Sequence, residues 1–382
     1  MNTMNVVVAI DSLKGSLSSL EAGQAIQRGI ELVYPEAEVK VRPLADGGEG
    51  TVEALTLGMG GQLQSIEVTG PLGNKVMAQY GILPESKTAI VEMAAAAGIT
   101  LVPENKRNPL YTTTYGVGEI LLDAMGKGCR HFIIGIGGSA TNDGGLGMLQ
   151  ALGYDMLDDR GEPVSFGAVG LKELRQIGDE HVVPELKECT FRIACDVNNP
   201  LCGEKGCSAI YGPQKGATPG DIEQMDRWMA QYAALAKDKY AKAEAATPGA
   251  GAAGGMGFAF LTFTNAALES GIGIVLAETR LEDYIAEADL VITGEGRLDG
   301  QTVMGKAPIG VAGIAKKYNK PVIAFAGCVI PEAKACNDHG IDAYFPILRQ
   351  IVTLEEALDP QNARQNMIET VEQAMRLMRI SK

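Results

Sequence analysis

Residues 5–34 read NVVVAIDSLKGSLSSLEAGQAIQRGIELVY. The opening NVVVAI is an unbroken, Val-rich apolar run, the pattern of a strand buried on both faces of a parallel sheet. Ser18 followed three residues later by Glu21 is a capping-box signature, and Leu20, Ile26, Ile30 and Val33 carry a helix to about residue 34. A second strand at 39–44 and a short helix at 50–57 continue the rhythm. The C-terminal quarter repeats it, with strands at 289–293, 321–326 and 342–346 and helices at 308–318, 331–339 and 363–379. Strand–helix alternation implies right-handed βαβ crossovers.

The middle of the chain, about residues 66–286, is less regular. It predicts strands at 89–93, 131–136 and 190–194 and helices at 116–125 and 221–242. The stretch 241–255, AKAEAATPGAGAAGG, reads as a mobile loop. Two strands before the middle make no stable sheet alone. The expected architecture is therefore α/β: a Rossmann-like, doubly wound parallel sheet formed by 1–65 plus 287–382, interrupted by an inserted α/β domain at 66–286.

Composition removes several function classes. The chain has 382 residues, 33 Lys plus Arg against 47 Asp plus Glu, and a net charge of −14. An acidic balance argues against a nucleic-acid backbone binder. No uncharged apolar run is long enough to span a membrane, and the N-terminus lacks a basic segment before its apolar run. Seven cysteines, an odd number without any CxxC, fit free thiols in a reducing cytoplasm. The spacings among Cys189, Cys195, Cys202 and Cys207 do not suit structural zinc. No GxSxG occurs and the three histidines are scattered, which argues against a hydrolytic triad.

Glycine is the outlier, at 48 residues, against an average usage of about 7 %. Four segments concentrate it: 46–50, 135–147, 249–257 and 294–305. Ligands of open α/β sheets bind beyond the carboxyl ends of strands, and glycine there lets backbone N–H groups approach an anion. Acids in the same loops would hold a Mg²⁺ that bridges phosphates. Asp46, Glu49, Glu295 and Asp299 are the metal candidates. Asp11, Ser12, Lys14 and Ser16 follow the first strand and are expected to open a helix, whose N-terminus attracts phosphate. Gly137, Gly138, Ser139 and Thr141 form a second cradle, with Gly294, Gly296 and Lys306 a third. The GxxxxGK match at 300–306 has Ala307 where a P-loop needs Ser or Thr, and the GxGxxA match at 135–140 lacks a clean βαβ setting. Asp196 with Asn198, ending another strand, could take a proton or bind hydroxyls. Arg107 and Arg297 are candidate carboxylate forks.

AIDSLKGS at 9–16, PLADGGEGT at 43–51, RNPLYTTTYGVGE at 107–119, IGIGGSATNDGG at 134–145, ACDVNNPLCG at 194–203, GPQKGA at 212–217 and ITGEGRLDGQTVMGKAP at 292–308 occur in that order. Together they resemble the bacterial type I glycerate kinase family, over nearly the whole chain. Many members have Pro and Phe where this chain has Ile10 and Leu13, differences of packing. The resemblance implies an ATP-dependent phosphotransferase that phosphorylates D-glycerate, usually to 2-phosphoglycerate. It also implies two α/β domains with the site in the cleft between them. On that reading ATP and Mg²⁺ are the cofactors. Asp196 orients the hydroxyl, Asp143 is the second candidate for that role, Lys14 holds phosphate, and Arg107 or Arg297 binds the carboxylate. Competing readings are a nicotinamide-dependent hydroxy-acid dehydrogenase and a non-catalytic nucleotide-binding regulator. Neither the acceptor hydroxyl nor the oligomeric state is legible, so a homo-oligomer stays open.

Overall fold

The structure is a computed structural model that describes residues 3–45 and 50–380. The chain divides into two compact units. The first comprises Met1–Asp46, Glu53–Met59 and Ile272–Lys382, and the second Gly47–Val52 and Gly60–Gly271. The strands in chain order are β1 Asn5–Ile10, β2 Glu38–Val41, β3 Gln62–Thr69, β4 Lys75–Leu83, β5 Thr88–Glu92, β6 His131–Gly135 and β7 Asp155–Leu157. They continue with β8 Gln176–Gly178, β9 Thr190–Ala194, β10 Ala266–Glu269, β11 Leu290–Leu298, β12 Val322–Val329 and β13 Ala343–Pro346.

The first unit holds a five-stranded, all-parallel sheet of order β13-β12-β11-β1-β2. Counted within the unit, this is the doubly wound order 2-1-3-4-5, whose strand order reverses between β1 and β11. Val6, Val8, Ile10, Leu290, Ile292 and Phe325 are buried along the central strands, as unbroken apolar runs require. Helices Ser19–Glu31 and Pro360–Ile380 cover one face together. Gly29 lets them close: a Cβ there would lie 2.7 Å from Val371 Cβ. The capping box is present, with Ser18 Oγ accepting from Glu21 N at 3.2 Å and Glu21 Oε2 accepting from Ser18 N at 3.0 Å.

The second unit holds a six-stranded mixed sheet, β10-β9-β6-β5-β4-β3. β5, β6, β9 and β10 run parallel, while β3 and β4 form an antiparallel edge. Its core gathers Phe132, Phe191, Phe260, Tyr232 and Met256. No described helix is long and apolar enough to cross a membrane.

Several expectations need correction. A domain boundary at residue 65 would cut β3, which pairs with β4 from Gln62 to Thr69. Helix Leu281–Glu287 packs on β1 and on helix Ala307–Lys317, so the first unit starts before residue 287. The first-unit helix does not open at Lys14. Residues 11–17 form a tight loop in which Leu13 and Leu17 exchange backbone hydrogen bonds, and Gly15 adopts φ +79° at its tip. The stretch 241–255 is not one mobile loop: turns at 241–251 lead into a helical segment that begins at Ala252. Ala253, Gly254 and Gly255 make a left-handed turn inside the buried Ala252–Phe263 segment. A Cβ on Gly254 would overlap the Thr141 carbonyl oxygen. Finally, β11 continues to Leu298, because β12 pairs with it as far as Val329; Gly294, Glu295, Gly296 and Arg297 are strand residues.

Candidate active site

In the first unit the reversal between β1 and β11 positions one cluster. Asp11 N donates to Gly294 O at 3.0 Å, so the loop after β1 starts where β11 passes. Gly294 and Gly296 keep that approach open. A Cβ on Gly294 would overlap the Phe325 carbonyl, and one on Gly296 would lie 3.4 Å from Lys14 N. Asp11 is buried and accepts from Ser12 N at 2.7 Å. Lys14 stands exposed at the loop tip, while the Ser16 hydroxyl is buried without a hydrogen-bond partner. The helix that follows is capped by Ser18 and Glu21, an acid that makes its N-terminus a poor phosphate site.

Two buried carboxylates lie beyond Gly294. Glu295 Oε1 accepts from Thr302 Oγ1 at 2.7 Å, and Glu295 Oε2 accepts from Lys306 Nζ at 3.1 Å. Asp299 accepts from Gln301 N at 2.9 Å and from Arg297 Nε at 3.0 Å, and Lys306 Nζ is 3.8 Å from its other flank. Burial pushes the Asp299 carboxyl up, but the Gln301 N–H, Lys306 and Arg297 outweigh it and hold it below the usual range. Lys306 precedes helix Ala307–Lys317, where the helix dipole disfavours a cation; the two acids keep it there. Among the described residues no group of three or more His, Cys, Asp or Glu gathers as a metal cage. Mg²⁺ is usually bound by one or two carboxylates, with phosphates and water completing its octahedron. Two hard oxygen donors converging on one lysine fit that requirement. Asp46 and Glu49 lie outside the described residues.

In the second unit the carboxyl ends of adjacent parallel strands β6 and β9, in register at Gly135 and Ala194, project two neighbouring loops. After β6, Gly137 and Gly138 are exposed, and Gly138 adopts φ +71°. Among the described residues the backbone N–H groups of Gly137, Gly138 and Ser139 donate to no protein acceptor. Such unused donors on a left-handed turn form an anion nest. The loop is pinned from below. Thr112 Oγ1 donates to Ala140 O at 2.9 Å, and Lys215 Nζ donates to Ser139 Oγ at 2.7 Å and to Thr141 O at 2.6 Å. The Thr141 hydroxyl is buried without a partner.

Asp143 is fully buried and accepts from Thr114 N, Thr114 Oγ1, Gly145 N and Gly147 N, at 2.9, 2.8, 3.1 and 3.3 Å. Burial pushes its pKa up against those donors. Its oxygens face the loop's own backbone, so it holds the 143–147 turn against the 112–115 segment. After β9, exposed Asp196 and Asn198 border a cavity of about 430 Å³ shared with Cys195, Pro248, Glu269 and Ser270. Asp196 Oδ1 accepts from Gly271 N at 3.1 Å. Arg107 is half-buried and its Nε has no partner. Gly216, next to Lys215, packs on the Arg107 carbonyl at φ +92°.

The structure thus gathers Asp11, Ser12, Lys14, Ser16, Gly294, Glu295, Gly296, Arg297, Asp299 and Lys306 in one unit. It gathers Arg107, Gly137, Gly138, Ser139, Thr141, Asp143, Asp196 and Asn198 in the other. Sequence reasoning missed Lys215, Thr112 and Thr114. Their signal was a lysine inside the uncharged turn GPQKGA and a run of three threonines.

Comparison with known proteins covers nearly the whole chain. The model of the glycerate kinase family matches residues 6–379. A glycerate kinase of Haemophilus influenzae is 50 % identical over 375 residues, 98 % of this chain and 99 % of that protein. A glycerate 2-kinase of Escherichia coli is 50 % identical over 354 residues, 93 % of each. A solved structure described as a glycerate kinase 2 from Salmonella typhimurium superposes with TM-score 0.92 at 47 % identity, covering 100 % of this chain and 99 % of that one. The dehydrogenase and regulator readings find no support in these matches. From residue 6 to residue 379 the chain belongs to the glycerate kinase family.

Proposed function

We propose that this protein transfers the γ-phosphoryl group of ATP to D-glycerate, forming 2-phosphoglycerate in the cytoplasm. The observation that carries this reading is the family match along almost the full chain. The acceptor position follows the Escherichia coli relative, named a glycerate 2-kinase.

The roles divide between the units. In the first, Lys14 and the loop after β1 take phosphate oxygens, as does Lys306 when it releases its carboxylates. Glu295 and Asp299 are the residues that would hold Mg²⁺, which when bound neutralises phosphate charge. Arg297, together with the Gln301 N–H and Lys306, holds that acid below the usual carboxylate range against its burial. In the second, Asp196 orients the glycerate hydroxyl and accepts its proton, and Asn198 holds a neighbouring hydroxyl. Asp196 is preferred to Asp143 because it is exposed and borders a cavity, whereas Asp143 is enclosed by its own donors. Arg107, with its unpartnered Nε, and the N–H groups of Gly137–Ser139 take the anionic groups of substrate. Phosphoryl transfer needs little covalent help from the protein; positioning and charge neutralisation supply most of the rate.

The test is ADP release with purified protein, ATP, Mg²⁺ and D-glycerate, followed by phosphorus NMR of the product. Glycerate-dependent ADP and a 2-phosphate resonance are expected. No glycerate-dependent ADP refutes the activity, and a 3-phosphate resonance corrects the acceptor.

A further inference from the structure

Lys215 is 2 % exposed, and its ammonium makes no ion pair among the described residues. A buried cation with no acid in ion-pair contact carries a large desolvation penalty, which the more distant Asp143 carboxylate offsets only in part, so its presence calls for a compensating role. An ammonium has donors only, so in its contact with Ser139 the serine oxygen accepts. The serine's own proton must then point elsewhere, and no described protein group accepts it. The same loop presents the unused N–H groups of Gly137, Gly138 and Ser139, and the Thr141 hydroxyl is buried and unpartnered.

We propose that Lys215 is a positioning residue for an anion seated on Gly137–Ser139. By donating to Ser139 Oγ it fixes the serine hydroxyl as a fourth donor, and it supplies the positive charge that the anion completes. The ligand chemistry is a carboxylate or a phosphate oxyanion. The inference deepens the glycerate kinase reading and rests on it for the choice between those two.

The device is linked to protons. Burial pulls the Lys215 ammonium down to about 8; of the titratable groups facing it, a Cys207 thiolate would favour its charge, but burial pushes that thiol up to about 11, and the Asp143 carboxylate is the other group that favours it. An arriving anion favours the charge further, so binding near pH 8 takes up protons. A neutral amine could instead accept from Ser139, turning that hydroxyl inward and removing a donor from the nest.

The experiment is titration calorimetry at pH 8 in two buffers of different ionisation enthalpy, with D-glycerate in one arm and inorganic phosphate in the other. Wild-type protein is expected to take up a substantial fraction of a proton per site with the anion the nest prefers. Lys215→Met is expected to lose that uptake and bind that anion about tenfold more weakly. In turnover it should raise KM for the corresponding substrate and flatten the alkaline limb of kcat/KM. Ser139→Ala should weaken binding yet keep the uptake. Binding by wild type without proton uptake, unchanged affinity in Lys215→Met, or failure of both anions to bind wild type overturns the proposal. If the methionine variant does not fold, the wild-type uptake decides. Proton-linked phosphate binding without glycerate turnover would refute the activity and leave Lys215 its role. Turnover without proton linkage would do the reverse.

Discussion

Asp143→Ala should be the most damaging single change in the 135–147 segment, through stability and not through chemistry. The wild-type carboxylate accepts four hydrogen bonds at 2.8–3.3 Å in a site with no solvent exposure. Alanine leaves three backbone N–H groups and one hydroxyl without their acceptor. Each orphaned buried donor costs about 1–3 kcal/mol. Four such donors therefore set a ceiling of roughly 12 kcal/mol, less what the Thr114 hydroxyl recovers by rotating. A water admitted to the vacated space recovers part of this, as does relief of burying a charge, which already pushes the carboxyl pKa up. The expected loss is about 3–5 kcal/mol, the range for breaking a buried charged network. Asp143→Asn keeps one acceptor oxygen but turns an NH₂ toward donors, and should cost about half as much. Trp228, the single tryptophan, lies in helix Pro219–Lys239 against the second unit's core, so its fluorescence in a urea titration reports the affected unit. An alanine variant within 1 kcal/mol of wild type would show that the four donors have other partners. A stable asparagine variant with kcat lowered about a hundredfold would show that Asp143 acts on substrate, against the assignment made from its burial.

Asp196→Asn should lower kcat about a hundredfold or more with little change in stability, read as glycerate-dependent ADP release; retained kcat removes Asp196 from the proton-accepting role. Gly294→Ala forces a Cβ into the Phe325 carbonyl and should cost about 3 kcal/mol, measured as a shift of the first unit's thermal transition. The Lys215 pKa, about 8 when folded against 10.5, makes the unfolded chain bind more protons between those values. Stability should therefore rise with pH across that window, by up to about 3 kcal/mol relative to Lys215→Met. Parallel pH profiles of the two urea midpoints would contradict this.

The first unit was the more legible because its central strands, β1 and most of β11, are buried on both faces. A run such as NVVVAI has few other uses, and Ser18 with Glu21 announces the helix start. Polarity misled at 294–298. Gly, Glu, Gly and Arg look like a loop, yet the length of β12 keeps them in the ladder. Lys14 misled for a related reason: local rules place a helix near it, but Leu13 and Leu17 turn inward to the core and delay the start to Ser19. Lys215 was invisible because a lone lysine reads as solvated. Its partners, Ser139 and the Thr141 carbonyl, and the Arg107 carbonyl against which the neighbouring Gly216 packs, lie in segments some seventy to a hundred residues away.

The glycine excess has two physical causes, which the sequence does not separate. Within 135–147, Gly137 and Gly138 are exposed, and a Cβ on Gly137 would meet nothing within 4 Å. Space is not what selects glycine at 137, which agrees with the proposed approach of an anion to its N–H. Gly144, Gly145 and Gly147 are the opposite case. A Cβ on each would press on Tyr232, on Ala259, or on Thr113 and the backbone of Tyr115. These three let the turn under Asp143 pack into the core, and Gly254 does the same against Thr141 from the other side. The buried glycines thus pack down the segment whose exposed glycines are proposed to meet an anion. A nest pays the entropy of ordering its donors at folding, so an anion meets N–H groups already aimed. On that argument, substitutions at 144, 145 and 254 should lower anion affinity even where the protein still folds, because they loosen the frame and leave the donors themselves intact.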